Sequence, residues 1–302
     1  MRKLSKVSAL FMTGVLLASM TGCGSSTKDD STSASTDTKT SSESKSDSAD
    51  TSSSSDESDR TQLIVGFDAE YPPYGYMDDN GDYVGFDLDL AKEVCDRNGW
   101  ELVKQPIDWD SKDMELNSGS IDCIWNGFTM TGREDSYTWS VPYVDNSQVI
   151  VTSEASGIDS LADLAGKTVG VQAASAALTL LEDEEGQKEL ADTFGTLQQF
   201  ADYNSAFVEL RAGSIDAVAM DVGVAQYQIK NREGFKILDE TLNSEKYAVG
   251  FKKGNEELRD IVDKDLETLL ENGTFDELAE KYELTDMVCL GSESEAETEA
   301  AK

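Results

Sequence analysis

The chain has 302 residues, 60 of them acidic against 25 basic, with no histidine and a formal net charge of −35. That balance excludes a nucleic-acid partner and docking on anionic lipid through the folded surface, since both need clustered Lys and Arg. The absence of histidine excludes Ser-His-Asp and Cys-His catalysis and every His-containing zinc site.

The chain opens with Arg2, Lys3 and Lys6, followed by an apolar stretch from Val7 to about Met20. The run is too short to span a bilayer and reads as the core of a signal peptide, residues 1–22. It ends in Met20-Thr21-Gly22-Cys23, which resembles the lipobox of bacterial lipoproteins. That resemblance implies cleavage before Cys23, a diacylglyceryl group on its sulfur, and acyl chains such as palmitate holding the protein to the outer face of the cell membrane. Two acyl chains suffice for stable anchoring. An ordinary signal peptide that contains Cys23 is the other reading.

Residues 24–60 include 21 Ser or Thr among 37 and no aromatic residue. Such a segment buries too little apolar area to offset its conformational entropy, so residues 23–60 are expected to stay unfolded as a tether. Its root-mean-square span as a coil is about 30–35 Å. Residues 291–302 form a second, acidic tail. Cys95, Cys123 and Cys289 form no CxxC or other metal spacing. The apolar settings of Cys95 and Cys123 point to buried thiols.

Between the ends, short apolar runs alternate with amphipathic ones. Gln62–Phe67 reads as a strand, Phe86–Asn98 as a helix with Asp87 able to cap its start, and Leu102–Gln105 as a strand. Asp110–Ser118 reads as a helix closed by Gly119, and Ile121–Trp125 as a buried strand. Alternation of this kind predicts an α/β fold with mostly parallel sheets. Leu116–Ile124 and Leu210–Val218 share the pattern helix end, Gly, Ser-Ile-Asp, apolar strand. Two α/β lobes of like design account for the repeat, with a ligand cleft at the carboxyl ends of their strands.

Gly85-Phe86-Asp87-Leu88-Asp89-Leu90-Ala91 resembles the signature of the extracellular solute-binding proteins of amino-acid ABC transporters. The likeness includes Asp68–Tyr74, Asn126–Arg133 and Val249–Asn255, and runs from about Gln62 to Leu284. It implies a two-lobed periplasmic-binding-protein-like fold with two hinge strands. Lobe 1 is then expected at 61–147 and 246–290, and lobe 2 at 148–245.

The resemblance also implies site residues. Arg133 would hold the ligand carboxylate through a bidentate guanidinium, with a surface ion pair as the alternative. Asn126, Gly127 and Thr129 match the strand end that meets the ligand, although a hydroxyl like that of Thr129 also caps turns. Asp221 matches the acid that takes the ammonium, and it is equally placed to cap the following helix. Ser175 and Ala176 match the helix start that closes over the carboxylate, with Ala174 and Ala176 standing where relatives usually carry Gly and Thr. Tyr71 and Trp109 match aromatic walls around the side chain, with core packing as the alternative for each. Asp68 and Gln172 match positions that set specificity, and Asp68 also suits a turn. An acid beside aromatic walls favours a polar or cationic side chain.

The function this implies is a monomeric, lipid-anchored binding protein that delivers a free amino acid to an ABC permease, with no cofactor and no catalytic group. A ligand-sensing domain for a membrane signalling partner and a dehydratase-like enzyme on the same scaffold are the alternatives.

Overall fold

A computed structural model of the chain describes residues 59–230 and 232–292. The expectations for the signal segment, Cys23, nearly all of the tether and most of the acidic tail lie outside these residues. Two five-stranded sheets form the centres of two lobes. The first runs in the order Glu101–Pro106, Gln62–Phe67, Cys123–Ile124, Gly250–Phe251, Thr138–Trp139. The second runs Thr196–Phe200, Thr168–Gln172, Ala217–Asp221, Gln148–Ser153, Phe235–Ile237. In each sheet the first three strands are parallel, the fourth is antiparallel to both its neighbours, and the fifth runs with the first three.

The Ser-Ile-Asp repeat is structural in both lobes. Helices Lys112–Ser118 and Tyr203–Ala212 each end at a glycine in the left-handed region, Gly119 and Gly213, a conformation that costs glycine little. The following isoleucine then packs over a glycine of the adjacent parallel strand. A Cβ on Gly66 would lie 2.4 Å from Ile121 Cδ1, and one on Gly170 would lie 2.7 Å from Ile215 Cδ1. The aspartate after it grips the start of the same strand. Asp122 Oδ2 accepts from the Ile64 amide at 2.7 Å, and Asp216 Oδ2 accepts from the Thr168 amide at 2.8 Å.

Two short antiparallel strands, Val144–Asn146 and Glu245–Tyr247, carry the chain between the lobes, with Glu245 opposite Asn146. These are the hinge strands. The predicted helix Phe86–Asn98 is present, burying Phe86, Leu88, Leu90, Ala91, Val94 and Cys95. Asp87 does not cap it: Gly85 holds that position, and the buried Asp87 carboxylate instead accepts from the Gly127 amide at 2.5 Å. The predicted helix at 110–118 is split, with a 3-10 turn at Trp109–Ser111 leading into Lys112–Ser118. Cys95, Cys123 and Cys289 are buried thiols. Among the described residues no helix is long and apolar enough to cross a membrane.

Candidate functional site

The site residues follow the carboxyl ends of parallel strands, where backbone groups and loops face the crevice. Asp68 follows Gln62–Phe67, Trp109 follows Glu101–Pro106, Gly127 follows Cys123–Ile124, Gln172 ends Thr168–Gln172, and Asp221 ends Ala217–Asp221. The lobes touch across this crevice. Gln172 Nε2 donates to Asp68 Oδ2 at 2.7 Å, and Lys112 Nζ donates to the Ala174 carbonyl at 3.1 Å. Asn204 also donates to Glu70 across the gap.

Nine of the eleven expected ligand-binding residues line one small, nearly filled cavity of about 10 Å³: Tyr71, Trp109, Gly127, Thr129, Arg133, Gln172, Ser175, Ala176 and Asp221. Arg133 lies over the Phe128 ring at 5.5 Å, its Nη1 donates to the Thr129 carbonyl at 3.5 Å, and it lines the space. Asp221, from the other lobe, is 3% exposed. It is the residue before helix Val222–Ile229, but its side chain makes no capping bond. Its Oδ1 instead accepts from Asn146, Gln148 and Tyr247, and its Oδ2 accepts from Tyr203. Burial and the neighbouring Glu245 charge push its carboxyl up to about 6.

Two expected residues stand elsewhere. Asn126 lines neither space in the cleft; its Oδ1 accepts from the Asp68 amide at 3.0 Å, so it holds Asp68 rather than facing a ligand. Asp68 sits at the edge of a second, larger space of about 630 Å³, which Trp109 shares with the small cavity. Asp68, Glu70, Asp108, Asp110, Glu115 and Asp202 all line this outer chamber, and neither Lys nor Arg does. Burial pushes the Asp68 carboxyl up to about 6. Ser175 is at a helix start as expected, but its hydroxyl is engaged there, accepting from the Leu178 amide and donating to the Gln172 carbonyl. Trp109 combines both of its readings, packing edge-on to Phe128 at 5.6 Å while lining both spaces.

Lys112, Asn146, Gln148, Tyr203, Glu245 and Tyr247 were not legible in the sequence. Asn146, Glu245 and Tyr247 meet the site from the hinge strands, Gln148 from the strand Gln148–Ser153, Tyr203 from a lobe 2 helix, and Lys112 from beneath Trp109 (Nζ 5.0 Å from the ring). Burial and the charge of Arg133 lower the Lys112 ammonium to about 8. The Glu245–Asn146 register is a tertiary pairing between segments 99 positions apart, and no local pattern announces it. Among the described residues there is no group of three or more His, Cys, Asp or Glu side chains set to hold a metal.

Residues 63–285 match the family model for bacterial extracellular solute-binding proteins, family 3. The arginine-binding extracellular protein ArtP of Bacillus subtilis (strain 168) is 33% identical over 231 residues, covering 75% of this chain and 88% of that protein. The L-cystine-binding protein TcyJ of Escherichia coli (strain K12) is 28% identical over 228 residues, covering 74% of this chain and 83% of its own. A solved substrate-binding protein of an ABC uptake transporter from Streptococcus pneumoniae, with bound histidine, aligns with a TM-score of 0.70 at 32% identity, covering 73% of this chain and 92% of that one.

Proposed function

The chain belongs to the bacterial extracellular solute-binding proteins of family 3, and from that premise we propose that it captures a free amino acid with a polar or cationic side chain and passes it to an ABC permease. One observation carries the reading. Arg133 and Asp221, on opposite lobes, line the same small cavity. A zwitterion has one charge for each. Its carboxylate matches the planar guanidinium of Arg133, and its ammonium matches the buried carboxylate of Asp221, which otherwise carries its charge on neutral donors. A ligand gripped from both sides favours the closed arrangement, because only that arrangement presents both charges at once.

The side chain of the ligand would pass Trp109 toward Asp68 and the outer chamber. A chamber lined by six carboxylates supports a cationic or strongly polar group there. Tyr71 and Trp109 would add stacking or cation–π contact of about 0.5–2 kcal/mol. The names of the relatives, arginine-binding and cystine-binding, agree with a polar ligand.

We extend the proposal to the rest of the chain. Lobe 1 comprises 61–147 and 246–290, and lobe 2 comprises 148–245. The protein works as a binder without turnover, as a monomer, anchored through Cys23 outside the cell.

A thermal-shift panel of the purified protein against the twenty amino acids and cystine tests the reading. A ligand at 100 times its dissociation constant adds about 2.7 kcal/mol of stability. A polar or cationic amino acid should raise the melting temperature. No shift with any of them overturns the proposal.

A further inference from the structure

Glu245 is a buried carboxylate that the amino-acid site leaves unused. It is 3% exposed and sits in the hinge opposite Asn146. The amide nitrogens of Asn146 and Gln148 each donate both to Asp221 Oδ1 and to Glu245 Oε1, at distances of 2.7 to 2.8 Å. Each NH2 has two hydrogens, so the two amides clamp the two carboxylates side by side. The Thr129 hydroxyl donates to Glu245 Oε1 at 2.8 Å, and Asn243 Nδ2 donates to Oε2 at 2.9 Å. None of these donors is charged, so two adjacent negative charges are buried on neutral partners.

A second observation points to a missing donor. Asn146 Oδ1 and Gln148 Oε1, on the same two clamping side chains, are buried and accept no hydrogen bond. The cluster therefore holds acceptors in excess and lacks hydrogens. Asn146 and Gln148 stand behind the cavity wall, and an ammonium group at Asp221 supplies hydrogens to that carboxylate and the missing positive charge. Thr129 fits the same pattern. Its hydroxyl proton is committed to Glu245, so the oxygen left at the cavity wall is an acceptor.

We propose that Glu245 is a positioning residue for cation recognition, forming with Asp221 one paired site that at acid pH holds a proton when empty and releases it when the ligand ammonium seats beside Asp221. The balance is simple: the ligand keeps its NH3+, the pair loses one H+ to solvent, and no covalent bond to carbon forms or breaks. The inference rests on the amino-acid reading above. The raised carboxyl of Asp221 supports it, with burial first and Glu245 second among its causes. The other titratable groups facing the pair are Tyr71, Tyr74, Tyr203 and Tyr247, all pushed well above their ordinary value by burial, and they stay protonated at neutral pH. Arg133 faces it across the cavity. Asp68, also raised to about 6, belongs to the side-chain end and must be counted separately.

Isothermal titration of the purified full chain with L-arginine, in buffers of differing ionisation enthalpy between pH 5 and 8, reads the protons directly; where L-arginine does not bind, the tightest ligand of the panel replaces it. Arginine itself does not titrate in this range. About three-quarters of a proton should be released per ligand at pH 5.5 and almost none at pH 8, with affinity about tenfold lower at pH 5 than at pH 7. Asp68→Asn should keep the release. Glu245→Gln should lose most of it, move the pH midpoint of affinity downward and weaken binding several-fold at pH 8. Binding without proton release in the Asp68→Asn protein at pH 5.5 overturns the inference, and so does a Glu245→Gln protein with the wild-type release and pH profile. If Glu245→Gln does not fold, the proton count in wild type and Asp68→Asn decides alone. A panel with no binder overturns the amino-acid reading instead.

Discussion

Arg133 and Asp221 reach one cavity from opposite lobes, and each is exposed to a different kind of loss on substitution. Arg133→Ala should cost about 2–5 kcal/mol of affinity, because a ligand carboxylate would be buried without its partner. Arg133→Lys should also bind poorly, since an ammonium cannot make the planar two-point contact. Asp221→Asn should cost affinity in the same range while leaving the ligand-free melting temperature at pH 7.5 unchanged or higher. The reason is that Asp221 makes no capping bond and buries its charge beside Glu245. Calorimetric titration paired with ligand-free melting separates the two effects, and a destabilised Asp221→Asn protein with normal affinity would falsify the ammonium role. At this scale the sequence was informative where a motif names a side chain, as for Arg133 and Trp109. It was uninformative for Asn126 and Asp87, whose type and position are right but whose side chains turn to the Asp68 and Gly127 amides behind the site.

The repeated helix-Gly-Ser-Ile-Asp-strand element does one job twice. Ile121 and Ile215 fill the space that glycine leaves on the adjacent strand. Gly66→Ala should therefore destabilise the protein by about 1–3 kcal/mol through overpacking, and Ile121→Val, which removes the Cδ1 in contact, should recover part of the loss; urea unfolding of the single and double variants measures both. The turn from Trp109 into helix Lys112–Ser118 carries a different device. Lys112 Nζ donates to the Ala174 carbonyl only when the lobes meet. Lys112→Met keeps most of the apolar stem and removes that bond, so ligand dissociation should speed up by about tenfold, the value of a charged hydrogen bond near 1.5 kcal/mol, with association little changed. Stopped-flow kinetics checks it, and equal dissociation rates would discount the latch.

For the molecule as a whole, acidity is distributed in two ways. Among the described residues most carboxylates are at least partly exposed and a few are buried. Asp68, Asp221 and Asp263 are raised to about 6 and Asp87 to about 7, each chiefly by burial. Their folded values exceed the ordinary value near 4. Between those limits the folded state binds more protons than the unfolded one, so stability is lost as pH rises through about 4 to 7. The ligand-free protein should melt higher at pH 5.5 than at pH 8 by calorimetry; a lower melting temperature at pH 5.5 would contradict these environments. Cys23→Ala should move the protein from the membrane fraction to the soluble one or leave the signal uncleaved, and unchanged fractionation and migration would remove the anchor.

The sequence by itself determined the two-lobed α/β design, the repeat, the helix Phe86–Asn98 and most of the side chains that line the cavity, because each depends on local periodicity, turn chemistry or a contiguous motif. Only the tertiary structure decided which acids share a neighbourhood. Glu245 and Asn146 meet through the pairing of two hinge strands, and Gln148 and Asp221 through the adjoining ladder of the second sheet. Six acids from separated segments line the outer chamber. The reason is physical: a carboxylate reads the same in any sequence, and its burial, its partners and its proton depend on segments that only folding brings within a few ångströms.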